Sequence, residues 1–313
     1  MVFLNNVYTA FTQVVILFLI AGVGFACEKK GIYTEKASRL TTDLLFYIVA
    51  PAIIVRSFLS VEYTKDSLKG LCLAALGGLI FHIVGIIFAH FMFNKDDKNI
   101  ACIYKYACVY GNVGYMALPL AQAILGYEGV FYCSAIMVPF NILSFTHGVR
   151  LMEKEKETDK KARLKNLALN PGVIGVAIGL PLFLLNVKLP QIIYSPVSYI
   201  ADLNTPLAMI MFGTYLASAE WKSIFKDKGI YKVALVKIIL MPLITIGILK
   251  LVGYGGVLLT ACVLSSSAPT ANNTVMFSAK FGRDTAVASK ITALISVLSI
   301  VTMPVMIAIA QSL

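Results

Sequence analysis

The stretch YGNVGYMALPLAQ, residues 110–122, lies inside a long apolar run but contains two glycines, an asparagine and a proline. These residue types are poorly suited to an uninterrupted helix in lipid. Pro119 has no N–H and obstructs the carbonyl four residues earlier, while Gly111 and Gly114 let the chain leave helical geometry at little cost. The stretch therefore predicts a helix that is interrupted around residues 111–119.

The composition of the whole chain is that of a membrane protein with many spans. Of the 313 residues, 58% are hydrophobic and 14% are charged, and the mean hydropathy is +0.82, which does not suit a soluble surface. A helix that crosses a bilayer needs about 20 mainly apolar residues. Ten segments satisfy this, at roughly 7–26, 37–59, 68–93, 99–125, 128–152, 169–187, 192–219, 229–251, 253–279 and 284–311. The predicted fold class is an all-α polytopic membrane protein with ten transmembrane helices.

The basic residues predict the direction of these spans. Of the 27 Lys and Arg residues, 20 lie in or beside the connections after spans 1, 3, 5, 7 and 9, and four beside those after spans 2, 4, 6 and 8. Cytoplasmic loops retain basic residues, so we expect both termini outside a plasma or inner cell membrane. The net charge of +11 is then a topology signal, and no nucleic-acid partner is expected.

A charged connection, EKEKETDKKARLKN at residues 153–166, divides the chain into two halves of five spans each. We assign residues 1–152 to a first repeat, 153–168 to a cytoplasmic loop and 169–313 to a second repeat. Halves with an odd number of spans enter the membrane from opposite sides, so related halves must form an inverted repeat.

Matching features in the two halves favour such a repeat. The second span of each half has a proline in its middle portion, Pro51 or Pro206. The fourth span of each half has an interruption, which in the second half is SSSAPTANNT at residues 265–274. We expect the broken helices of spans 4 and 9 to cross near the membrane centre.

Irregular backbone in hydrocarbon persists only where protein buries it or where it lines a watery cavity. Half-helix N-termini at a crossing present free N–H groups and a partial positive charge, which favour an anion or a polar ligand. The nearby amides are candidate substrate-binding groups: Asn112, Asn272, Asn273 and, in span 5, Asn141. Alternatively, these side chains satisfy backbone groups that the interruptions free.

Other polar residues within spans have less certain roles on sequence grounds. Asp202, close to Asn204, is a candidate for ion or proton coupling, as is Ser266; alternatively, Asp202 pairs with a lysine or caps a kink. Arg56 and Lys237 are interpreted as anchors that extend to the membrane surface. The sequence contains no zinc-ligand spacing, nucleophile elbow or phosphate loop, so we expect neither an enzyme nor a cofactor or metal.

Several of these motifs resemble the auxin efflux carrier family. YGNVGYMALPL is similar to the family signature Asn-x-Gly-x-x-Gly-x-Pro-Leu, although Ala117 stands where the family usually has its second glycine. SSAPTANNTVMFSAKFGRDTAVASKITALISVLSIVTMP resembles the family's last two spans, and PFNIL resembles its asparagine-bearing fifth span. The resemblance covers the full length of the chain.

This resemblance implies a fold of inverted repeats like that of the sodium/bile acid symporters. Spans 1, 2, 6 and 7 would form a scaffold part, and spans 3–5 and 8–10 a transport part. The substrate would lie beside the crossing prolines, Pro119 and Pro269, with Gly114 in the signature and with Asn112 and Asn141 as ligand amides. Substrates of such carriers include small organic acids such as malate, malonate and auxin.

The sequence thus predicts a secondary active transporter, or a carrier driven by membrane potential, that moves a small carboxylate anion by alternating access. One alternative is a sodium-coupled symporter of bile-acid type. Another is a membrane ligand sensor without transport. The expected partners are the organic anion and the lipid bilayer, and a coupled proton or sodium ion and a homodimer are left open.

Overall fold

The computed structural model of the chain describes residues 2–94, 96–153, 165, 168–218 and 228–313. Most of the predicted cytoplasmic loop at 153–168 lies outside the described residues, as does the basic connection at 219–227. Helical residues occupy each of the ten segments predicted as spans.

The first half contains helices interleaved with short π-helical turns. The α-helices are α1 (Val2–Lys29), α2 (Glu35–Leu44), α3 (Ala50–Ser60), α4 (Lys65–Met92), α5 (Lys98–Val109), α6 (Leu118–Leu143) and α7 (Val149–Met152). The π turns are Leu45–Val49, Val113–Ala117 and Ser144–Gly148. α6 bends at Gly126, where φ is 65°, between the predicted ends of spans 4 and 5.

The second half also consists of α-helices, with one π turn among its described residues. Its helices are α8 (Pro171–Leu184), α9 (Gln191–Asp202), α10 (Asn204–Ser218), α11 (Lys228–Leu235), α12 (Met241–Leu251), α13 (Gly256–Ser267), α14 (Asn273–Lys280) and α15 (Thr285–Gln311). A π turn, Val236–Leu240, joins α11 to α12.

The helices have the length and the surface of an integral membrane protein. Among the described residues, six helical stretches are long and apolar enough to cross a bilayer: Phe11–Lys29, Leu40–Ser60, Lys65–Met92, Val113–Met152, Gly229–Leu251 and Thr285–Gln311. Large apolar side chains point outward from them, such as Leu19 at 67% exposed and Phe91 at 69%. Such a surface would aggregate in water and is suited to lipid.

Three of the π turns are each followed by a proline at the second position of the next α-helix: Pro51, Pro119 and Pro242. In each case the residue before the proline donates its N–H to the carbonyl five residues earlier. A proline ring in an α-helix collides with the carbonyl four residues earlier and leaves it without a donor. The wider π turn lets the helix continue past the ring.

Consequently, the interruption in the first half is shorter than predicted. The chain leaves helical geometry only at residues 110–112 and resumes as a π turn at Val113. Pro119 lies inside the resumed helix and is buried. The prediction that Pro119 breaks the helix is therefore wrong, because the π turn accommodates it.

Glycines bring particular helix pairs into close contact. A Cβ on Gly24 of α1 would lie 2.0 Å from the Ile210 carbonyl oxygen of α10, and one on Gly213 of α10 would lie 1.8 Å from the Ala21 oxygen. A Cβ on Gly179 of α8 would lie 2.6 Å from the Phe58 ring of α3. Small residues allow this approach in membrane helices. The close pair α1–α10 joins span 1 to span 7, and the close pair α3–α8 joins span 2 to span 6.

Candidate functional site

The two interruptions lie side by side in the interior of the protein. We call residues 110–112 the first interruption and residues 268–272 the second. They form an antiparallel bridge between Gly111 and Thr270. The Asn112 N–H donates to the Pro269 carbonyl at 2.6 Å, and the Ala271 N–H donates to the Tyr110 carbonyl at 2.9 Å. Each interruption thus supplies backbone partners that the other one lacks.

Local contacts complete the first interruption. α5 ends at Val109, and the carbonyl of Ala107 near this end accepts a hydrogen bond from the Thr270 hydroxyl at 3.0 Å. On the other side, the Asn112 side-chain oxygen accepts from the Tyr115 N–H at 3.2 Å and caps the resumed helix. Asparagine is a favoured N-cap residue because its oxygen satisfies such a free N–H.

The second interruption follows three consecutive serines at the end of α13. The Ser266 and Ser267 hydroxyls donate to carbonyls three residues earlier, at 3.0 and 3.1 Å. The Ser265 carbonyl cannot receive an α-helical bond, because the residue four positions later is Pro269 and lacks an N–H. α14 begins beyond the break at Asn273, preceded by Asn272, whose side chain makes no cap bond.

Lys237 lies at the junction, by which we mean the place where the two interruptions meet. It lies in the π turn between α11 and α12, is 1% exposed, and donates from Nζ to the Ser266 carbonyl at 3.2 Å. Its Nζ also lies 3.0 Å from the point where a Cβ on Gly111 would stand. The prediction that Lys237 anchors the helix at the membrane surface is therefore wrong, because its side chain points inward.

Asn141 is buried near the C-terminal end of α6, with 3% exposure. Its Nδ2 has no hydrogen-bond partner among the described residues. It lies 3.5 Å from the Cβ position of Gly172, at the start of α8. A buried donor without a partner costs free energy, which keeps Asn141 a candidate ligand amide.

The rest of this α6 segment lies against the first interruption. The Tyr110 ring is 6.1 Å from that of Phe140, and the Tyr110 hydroxyl donates to the Leu143 carbonyl at 3.0 Å. Asn141 therefore belongs to the same neighbourhood as the first interruption.

Two further buried polar side chains have hydrogen-bonding atoms without a partner among the described residues. Asn204, 1% exposed, begins α10, and its Nδ2 has no partner within the part of the chain that is described. The same holds for the hydroxyl of Thr274 in the first turn of α14, which is fully buried. Gly114 faces open space, since an added Cβ would meet no atom within 4 Å.

Asp202 has a different environment. Its Oδ1 pairs with the Arg56 guanidinium at 2.5 Å, and its side chain is 54% exposed. The same guanidinium donates to the Ser198 carbonyl at 3.0 Å and lies 4.4 Å from the centre of the Tyr127 ring. Asp202 therefore makes an ion pair, as the alternative interpretation allowed, although with arginine rather than lysine. Arg56 is not an anchor, because it joins α3, α6 and α9.

An apolar cavity lies near the first interruption, between α1, α6, α10 and α15. Its lining residues are Val14, Leu17, Phe18, Met116, Leu120, Met209, Ser299 and Met303. Met116 and Leu120 flank Pro119 on the resumed helix. The cavity therefore lies between the helix that follows the first interruption and the close α1–α10 pair.

The structure thus brings some predicted site residues together and leaves others apart. Asn112 and Pro269 are in direct contact, and Asn272 and Asn273 follow immediately after the bridge. Ser266 contributes its carbonyl to Lys237 rather than its hydroxyl to an open site. Lys237 was not predicted as a site residue, although a lysine eight residues inside an apolar span was a usable signal.

The sequence of the chain is similar to those of known membrane transport proteins. The profile of a family described as "Membrane transport protein" matches residues 9–307. A protein of Rhizobium meliloti (strain 1021) named "Putative malonate transporter" is 23% identical over 268 residues, which cover 83% of each chain. An uncharacterized transporter of Methanocaldococcus jannaschii is 23% identical over 282 residues, covering 87% of this chain and 89% of its own.

Proposed function

The chain belongs to the auxin efflux carrier-type membrane transport family, and we propose that it is a secondary carrier of a small carboxylate anion that works by alternating access. Transport would be driven by a coupled ion or by the membrane potential.

The observation that carries this proposal is the pairing of two broken helices inside an apolar protein. The bridge between Gly111 and Thr270 buries irregular backbone where the two interruptions meet. In membrane proteins such backbone is tolerated where protein buries it or where it lines a binding site. The N–H groups at the start of the resumed helix and of α14 favour an anionic ligand. Asn141 adds an amide donor that has no partner among the described residues.

These donors support a carboxylate as the substrate class. A carboxylate accepts hydrogen bonds from N–H groups and amides, and helix N-termini favour its negative charge. The malonate-transporter name of the relative from Rhizobium meliloti supports a small dicarboxylate such as malonate or malate, and the family supports an auxin-like acid as well.

For the cycle, we propose that spans 1, 2, 6 and 7 act as a scaffold and that spans 3–5 and 8–10 move as a transport part. The close α1–α10 and α3–α8 contacts support a rigid scaffold. The two parts would belong to two inverted repeats, with both termini outside the cell and the connection at 153–168 in the cytoplasm. A homodimer is compatible with this arrangement.

The test is uptake of labelled malonate, malate and indole-3-acetate into proteoliposomes that contain the purified protein. We expect saturable uptake of at least one acid. Combined Asn112→Ala and Pro119→Ala substitutions should abolish it, since they remove one ligand amide and alter the helix beside it. Unchanged uptake by this double variant would refute the site assignment, and binding without any flux would favour a ligand sensor.

A matched pair of asparagines separates binding from folding. Asn141→Ala should raise the KM without loss of thermal stability, because its Nδ2 makes no hydrogen bond within the described part of the chain. Asn170→Ala should lower the thermal stability and leave the KM unchanged, because the Asn170 side chain caps α8 by accepting from the Gly172 N–H at 2.9 Å. Equal effects of the two substitutions on KM would contradict a ligand role for Asn141.

A further inference from the structure

Lys237 has an unusual position for a lysine in an apolar protein. Its side chain is 1% exposed and extends from the π turn Val236–Leu240 into the junction of the two interruptions. Within the described ranges, no carboxylate forms an ion pair with it. The oxygen that its Nζ contacts is the backbone carbonyl of Ser266, at 3.2 Å.

The carbonyls of this region lack ordinary partners. α13 ends at Ser267, so its last carbonyls have no intrahelical donors and form the negative end of the helix dipole. Pro269 has no N–H to offer Ser265. The Ala271 N–H, four residues after Ser267, donates instead to Tyr110. The end of α13 is thus a place where a positive charge is needed.

The shape of the junction shows how tightly the ammonium is enclosed. The Cβ position of Gly111 would lie 3.0 Å from Lys237 Nζ, 3.1 Å from the Ala268 oxygen and 3.2 Å from the Ser265 oxygen. The Lys237 ammonium and the carbonyl oxygens of Ala268 and Ser265 therefore surround the Cβ position of residue 111. A glycine at this residue leaves that position empty.

Carbonyl oxygens from unwound backbone and from helix C-termini are also the ligands that hold sodium or protons in broken-helix transporters. A lysine ammonium offers three donors to such oxygens and brings the same single charge. An ion cannot enter the same group of carbonyls while the tethered ammonium remains, since the two like charges repel each other.

The geometry points to Lys237 as a tethered cation that takes the place of a dissociable metal cation at the end of α13, so that the carrier moves its anion without sodium. This inference rests on the proposed function for its transport readout only. It excludes the sodium-coupled alternative by a feature of this chain's own residues.

The experiment compares anion uptake into proteoliposomes with sodium or with choline outside, at a fixed pH and a fixed membrane potential. Wild-type uptake should be the same in both. Lys237→Ser leaves the carbonyls with room for an ion, and its uptake should rise about tenfold with sodium, the change expected if sodium raises the competent fraction from one tenth to nearly all molecules. Lys250→Ala, an exposed lysine of the same span, is the matched control and should show no sodium effect.

A second measurement keeps the inference testable if a variant is inactive. Thermal unfolding in detergent is followed in sodium chloride and in choline chloride. Sodium should raise the unfolding temperature of Lys237→Ser by several degrees and leave that of the wild type unchanged, because only a ligand of the folded state stabilises it. Sodium stabilisation of the wild type, or sodium-dependent wild-type uptake, would overturn the inference, as would a folded Lys237→Ser protein that ignores sodium. Absence of any wild-type uptake would instead count against the proposed function, while the unfolding measurement still judges Lys237.

Discussion

The two interruptions face the same backbone problem and solve it with different chemistry. Each exchanges one backbone hydrogen bond with the other, between Asn112 and Pro269 and between Ala271 and Tyr110. The end of α5 is then completed by a neutral group, the Thr270 hydroxyl. The end of α13 is completed by the Lys237 ammonium.

This difference separates the roles of backbone and side chain at the junction. The backbone pairing is nearly symmetric, as expected if the two halves are related by an inverted repeat. The charge is not symmetric, because the buried Lys237 ammonium donates to a carbonyl at the end of α13, whereas the hydroxyl of Thr270 donates to the end of α5. Substitutions at matched positions can therefore distinguish what the bridge needs from what the charge contributes.

The largest effect should come from the point where both interruptions and the lysine meet. Gly111→Ala places a methyl group 3.0 Å from Lys237 Nζ and 3.1 Å from the Ala268 oxygen, so we expect a loss of about 1–3 kcal/mol in stability from overpacking. Gly114→Ala is the control, since its Cβ would meet no atom within 4 Å. Thermal unfolding, followed by the reaction of buried Cys108, Cys133 and Cys262 with a thiol dye, gives the comparison. Equal unfolding temperatures for the two variants would show that the junction is looser than described.

An intermediate effect should come from the neutral completion of α5. Thr270→Val keeps the shape of the side chain and leaves the buried Ala107 carbonyl without its donor, which should cost about 1–2 kcal/mol. Thr270→Ser retains the hydroxyl and should lose much less. The same unfolding measurement tests the pair, and a serine variant as unstable as the valine variant would show that the methyl group matters rather than the hydrogen bond.

The smallest effect should come from the two asparagines that begin the resumed helices. Asn112→Ala removes the bond to the Tyr115 N–H and should cost about 1 kcal/mol, as for other N-caps. Asn272→Ala should change stability less, because its side chain makes no cap bond. If Asn272→Ala proves the more destabilising of the two, the caps are not the relevant difference between the interruptions.

Local chemistry made the helices and their interruptions predictable. Proline, glycine and serine restrict the backbone where they stand, so the end of α13 at Ser267 and the start of α14 at Asn273 fall inside the predicted break. The predicted first break was longer than the observed one. The sequence contains no signal for the π turn that lets the helix continue through Pro119.

Side-chain direction was less predictable than backbone. Whether Lys237 faces lipid or the interior depends on how its helix is rotated against its neighbours, which one span's sequence does not specify. The pairing of Arg56 with Asp202 joins residues 146 positions apart and depends on the packing of α3 against α9. Such contacts arise only once the helices have assembled.

The methionines of the apolar cavity have a mechanical consequence for the proposed cycle. Where glycines join α1 to α10, backbone meets backbone and sliding would be blocked by direct collision. Met116, Met209 and Met303 line the cavity, and such unbranched side chains change rotamer at low cost and refill irregular gaps. In the proposed cycle, this methionine lining would let two helix layers shift past each other on the side of the first interruption without opening a void.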